Sequence, residues 1–223
     1  MGLTKILWDS RWTFSLSWYS AERLFPGIRL ALWDGIKTTL RKFSSLKREI
    51  LKTNQNRLGN TLLEQGIRTK SANNTNLFAQ AVLAYRNALK IYTLRQQPRD
   101  WAITQYNLGF ALSEQASSTA DVKAMVLLSQ AVTAYRNALQ VTKRENQPQE
   151  WAMIQNKLGN ALREQATRLG DAKKGEPLRQ AILAYEAALE VYSPETFPSE
   201  HQEVRKSLQI IKTLFSDISP PAN

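Results

Sequence analysis

The chain has 223 residues, of which 43% are hydrophobic and 22% charged, a composition that folds into an ordinary globular or repeat domain and excludes a disordered chain. It has no cysteine and a single histidine, His201, which removes disulfides, thiolate or histidine metal clusters and cysteine nucleophiles from consideration. The net charge is +11, and the first 52 residues hold ten Lys/Arg against four Asp/Glu, so more than half of the excess sits in the first quarter of the chain and favours acidic or anionic partners.

Residues 1–50 form a basic, aromatic-rich segment. Trp8, Trp12, Phe14, Trp18, Tyr19, Phe25, Trp33 and Phe43 lie in it, and Pro26-Gly27 divides it. Beyond that break, Ile28, Leu32, Ile36, Leu40, Phe43 and Ile50 recur at helical steps, while Lys37, Arg41, Lys42, Lys47 and Arg48 make the remaining surface basic. Two roles fit this amphipathic helix. It can cap the open edge of the helices that come after it in the chain, or it can dock, with Trp8, Trp12, Trp18, Trp33, Lys37, Arg41 and Lys42 against an anionic membrane surface or a partner. The start, MGLTKILWDSRWTF, lacks a signal-length apolar run, and Ile6 stands where myristoylation needs Ser or Thr. No run of eighteen apolar residues occurs. The expected location is cytoplasmic, peripheral to a membrane if the first segment docks there.

From residue 51 the sequence repeats itself every fifty positions without a gap. Leu58, Leu108, Leu158 and Leu208 align, as do Gly59, Gly109 and Gly159. Glu64-Gln65 returns as Glu114-Gln115 and Glu164-Gln165; Tyr85 returns as Tyr135 and Tyr185; Pro98, Pro148 and Pro198 close the units. This divides the chain into units at 51–100, 101–150 and 151–200, a C-terminal capping helix at 201–216, and a tail at 217–223.

Each unit reads as two helices. In the second, Pro98 suits a first helical position, where its missing N–H would go unpaired anyway, and Asp100 favours the helix dipole. Ala102, Gln105, Leu108, Gly109, Leu112 and Ala116 then mark one face. Ser117 to Asp121 interrupts the pattern before a second helix with Leu127, Leu128, Ala131, Ala134, Tyr135, Ala138, Leu139 and Val141 on its apolar face. A glycine inside a helix costs about 1 kcal/mol against alanine, so its return at 59, 109 and 159 predicts close helix crossing. Leu108, Tyr135, Leu139 and Trp101 are expected to fill the space between helices. The recurring Glu64, Glu114 and Glu164 predict a hydrogen bond or ion pair between neighbouring units, because a catalytic carboxylate would occur once.

The run Leu108-Gly109-x2-Leu112, Ala131-x3-Tyr135-x2-Ala138 and Pro148 resembles the tetratricopeptide (TPR) signature. The resemblance covers residues 51 to about 214. The unit of fifty exceeds the usual length of about thirty-four and is closer to the long units of kinesin light chains. The opening tryptophan also sits four positions early, leaving Gln105 in its usual place. The resemblance implies an all-α, right-handed α-solenoid of three helix pairs, with a helical N-terminal segment and a capping helix from His201 that loses the repeat glycine.

It also implies a concave groove lined by the first helix of each pair. Carried onto this sequence, the lining is Asn56, Arg57 and Asn60 from the first unit, Tyr106, Asn107 and Phe110 from the second, and Asn156, Lys157, Asn160 and Arg163 from the third. Asparagine amides pair with a peptide backbone, and the cations suit a carboxylate. Asn60 and Asn107 fit the carboxylate clamp of chaperone-binding TPRs, but Asn56 stands where that clamp has lysine, so a chaperone tail is not the expected ligand. The expectation is a non-enzymatic scaffold or adaptor for a protein or peptide of acidic character, with no cofactor. A nucleic-acid partner has only the charge in its favour and no motif.

Overall fold

The computed structural model describes residues 28–69, 74–119 and 121–218, apart from the side chains at 28–33, 48, 52, 121, 171 and 172. Trp8, Trp12 and Trp18 therefore lie outside the described residues, and Trp33 enters only as backbone. Seven helices occur among the described residues, and no strand: α1 (Ile28–Arg68), α2 (Asn74–Leu89), α3 (Pro98–Ser117), α4 (Asp121–Val141), α5 (Pro148–Thr167), α6 (Asp171–Leu189) and α7 (Pro198–Ile218). The fold class is all-α.

The chain divides into two units at Ile50/Leu51. The sequence break at that position is not a helix boundary, because α1 runs through it for 41 residues. No proline or turn-forming cluster occurs between Pro26-Gly27 and Lys70, and Gly35 alone does not stop a helix.

In the first unit, Ile36, Leu40, Phe43, Leu46 and Ile50 are 46–67% exposed.

In the second unit the helix starts fall where the prolines and acids place them. α3 and α5 begin at Pro98 and Pro148, with Asp100 and Glu150 in the first turn. The linking turns superimpose in their bonding: Trp101 N–H donates to Gln97 O, Trp151 N–H to Gln147 O, and His201 N–H to Phe197 O, each at 2.9 Å. Packing from α2 onward runs from each helix to the next in the chain, with thinner contact between the alternate helices α3 and α5, and α5 and α7.

The core repeats with the sequence. Tyr85, Tyr135 and Tyr185 are fully buried, as are Ala81, Ala131 and Ala181 and Ala88, Ala138 and Ala188. The glycines make room for a side chain: a Cβ on Gly59, Gly109 or Gly159 would lie 2.6–2.8 Å from the nearest ring atom of Tyr85, Tyr135 or Tyr185. A fourth contact of this kind joins Gly66 to Phe78, where an added Cβ would lie 2.5 Å from the ring. At the corresponding positions the later units carry Ala116 with Leu128 and Ala166 with Leu178, a larger partner being matched by a smaller one so that the filled volume is kept.

Two details differ from the sequence expectation, at Leu58 and at the unit-opening tryptophans. Leu108 and Leu158 are buried at 8% and 6%, but Leu58 is 46% exposed, because the fifty-residue pattern provides no earlier helix pair to cover it. Trp101 and Trp151 are half-buried rather than core residues, although Trp151 packs against the core. In α7, Val204 and Ile211 are fully buried, whereas Ile210 and Leu214 remain exposed on the outer side. His201 has a structural place, its Nδ1 lying 2.8 Å from the Tyr192 carbonyl oxygen.

Candidate partner-binding face

The residues expected to line a groove fall on α1, α3 and α5, and half of them, Asn56, Asn60, Asn107, Phe110 and Lys157, make contacts between units. Asn60 sits at one junction: its Oδ1 accepts from the Tyr85 hydroxyl at 2.8 Å and from Asn107 Nδ2 at 3.3 Å. The third unit repeats the first link, with Tyr185 donating to Asn160 Oδ1 at 2.8 Å. Burial raises both phenols, Tyr185 to about 12 even though Arg163 and Ser207 oppose the shift, so each remains a neutral donor at ordinary pH.

The second unit departs from this scheme. Phe110 takes the place of Asn60 and Asn160, and Lys157 Nζ from the next unit stands 5.1 Å from its ring centre, within cation–π range. Tyr106 packs on Tyr135, with ring centres 6.0 Å apart, and Ser113 lies beside the Tyr135 phenol. The middle of the face is therefore aromatic and cationic, and its two ends are amide-lined.

Two of the ten residues belong to helix packing instead. Asn56 donates from Nδ2 to Thr104 Oγ1 at 3.1 Å, and that hydroxyl donates to the Asp100 carbonyl oxygen at 2.7 Å. Asn156 is 9% exposed and its Oδ1 has no hydrogen-bond partner. The repeat explains the difference. Asn56 meets a residue 48 positions ahead, and 48 beyond Asn156 stands Val204, fully buried and without a polar side-chain atom. Arg57 and Asn60 are exposed, while Tyr106, Asn107, Phe110, Lys157, Asn160 and Arg163 are half-buried. These eight make up the accessible set.

Reading asparagines and cations alone missed the acidic side of the face. Glu114 is half-buried, and burial raises its carboxyl above the usual range, with Glu164 acting in the same direction and Lys157 against it. Glu164 accepts from Ser117 of the preceding unit at 3.2 Å and from Arg168 at 2.9 Å, which is the between-unit link expected of the recurring glutamates. Glu64 instead meets Arg68 of its own helix at 4.0 Å. The signal was the repeat register itself, since Glu114 lies one helical turn beyond Phe110. The face thus mixes three cations with three carboxylates and is less basic than its positive residues alone suggest.

A hollow of about 220 Å³ opens between α3 and α5 beside this face, bordered by Ile103, Tyr106, Asn107, Glu150 and Met153. Among the described residues no His/Asp/Glu group has the arrangement to hold a metal ion, and no helix is long and apolar enough to cross a membrane.

No protein-family model matches this chain, and no curated protein matches it.

Proposed function

We propose that residues 51–218 are a right-handed α-solenoid of three TPR-type helix pairs ending in a capping helix. On this reading they work as a non-enzymatic scaffold that holds a protein or peptide on the face made by α1, α3 and α5. Nearest-neighbour packing and strict sequence repetition support the solenoid, in which each unit completes its core against the next. The observation that carries the function is the row crossing three units, Asn60 to Asn107 and Phe110 to Lys157. Such a row offers amides to an extended backbone, an aromatic surface at its centre and Arg57, Lys157 and Arg163 to carboxylates. Its residues also vary from unit to unit, whereas the tyrosines, alanines and glycines beneath them do not.

A photo-activatable residue placed at Asn107 or at Arg163 should cross-link a discrete partner in cells. The same residue at Thr133, exposed on α4, should not. Equal capture from all three positions, or capture from Thr133 alone, would place the binding surface elsewhere.

A further inference from the structure

The exposed stripe of α1 within residues 34–50 has chemistry of its own. Ile36, Leu40, Phe43, Leu46 and Ile50 are spaced by three or four residues, so they share one side of the helix, and the least exposed of the five is Ile36 at 46%. Lys47 lies within the arc of the stripe, Lys37 along one flank and Lys42 along the other, while Arg41 falls on the opposite side; all four are exposed. Of the two acids in this stretch, Asp34 falls opposite the stripe on the side of Arg41, and Glu49 lies farther round the helix than Lys42.

We infer that this part of α1 lies along an anionic lipid surface, with the stripe in the acyl boundary and the flanking cations at the phosphate level. Charge decides among the occupants of such a face. A second copy of the chain would bring two cationic helices together, and like charges oppose that pairing. A nucleic acid would take the cations and leave five large apolar side chains in water. An anionic membrane satisfies both features, because lysine and arginine stems bury beside apolar groups while their heads remain at the headgroup level. Five basic residues between positions 34 and 50 against two acids give the attraction its sign.

The full chain, sedimented with phosphatidylcholine vesicles with and without phosphatidylserine, should partition at least about tenfold more strongly onto the anionic ones, and raising the salt from about 0.1 M to 0.5 M should release most of it. Leu40→Ser with Phe43→Ser, and separately Lys42→Glu with Lys47→Glu, should each weaken that partition about tenfold. All four residues are exposed, so helical content and melting should hold. Equal binding to both vesicle types overturns the inference, as does wild-type partition by the serine variant. A dimer abolished by the serine variant without any vesicle binding overturns it too, by showing a second copy on the stripe. Oligonucleotide binding unchanged by the serine variant, with no vesicle binding, would make the basic flank a nucleic-acid surface instead.

Discussion

Tyr135 occupies the space in which Gly109 would carry a side chain: a Cβ there would stand 2.8 Å from Cε1 and 2.9 Å from Cδ1 of the ring. Glycine is kept against its helix propensity because the tyrosine is fully buried and has nowhere to move.

Gly109→Ala should therefore destabilise the protein. Propensity alone would gain about 1 kcal/mol, but overpacking a buried ring costs about 1–3 kcal/mol, leaving a net loss of up to about 2 kcal/mol in urea unfolding. Gly35→Ala is the control. Nothing lies within 4 Å of its added Cβ, so no loss should follow. A gain in stability for Gly109→Ala would show that the tyrosine does not hold the glycine in place.

The three tyrosines are equally buried but differently bonded. Tyr85 and Tyr185 donate to Asn60 and Asn160, whereas the second repeat has Phe110 at that position and leaves Tyr135 no asparagine acceptor, with Ser113 beside its phenol. Removing the hydroxyl by Tyr85→Phe or Tyr185→Phe should cost about 0.5–1.5 kcal/mol. Tyr135→Phe should cost less than either. Equal losses at all three in thermal unfolding would mean that the asparagine bonds contribute nothing.

Asn156→Leu should stabilise the fold. The buried Oδ1 lacks a partner, and an unpaired buried polar group costs about 1–3 kcal/mol, which an apolar side chain of similar volume would recover in part. A lower urea midpoint for the variant would indicate that the amide has a partner after all, such as an ordered water. Helical content by circular dichroism should be unchanged.

Glu114→Gln tests the acidic side of the face through pH. Burial raises the folded-state pKa, so the folded protein binds the proton more tightly than the unfolded chain does. Stability associated with this group is therefore present in acid and is lost as pH rises through the carboxylate range towards the raised value. At pH 7 the glutamine variant should be at least as stable as the wild type, and this advantage should vanish near pH 4. A variant weaker at pH 7 than at pH 4 would instead mean that attraction to Lys157 outweighs the burial.

Much of the architecture was legible without coordinates because a fifty-residue repeat states its own boundaries. Prolines, first-turn acids and small residues recur wherever a helix must begin or approach its neighbour, and the helices duly start at Pro98, Pro148 and Pro198. The exchange of Gly66 and Phe78 for alanine and leucine was visible in the alignment of the units as well. It carried no meaning until the two positions were seen to touch, twelve residues apart and on different helices.

The face was only half legible, for a physical reason. Helical spacing tells which residues share a side, but whether a polar side chain meets solvent or the next helix depends on what stands opposite. Asn56 and Asn156 occupy one register, and the difference between a bonded amide and a stranded one lies 48 residues away, in Thr104 and Val204. Local periodicity and turn chemistry determined the helices and their order from the chain alone. Which residues of this face stay accessible, which tyrosines find an acceptor and which glutamate loses its solvent were settled only by packing between helices, because hydrogen bonding and desolvation depend on neighbours that sequence proximity does not supply.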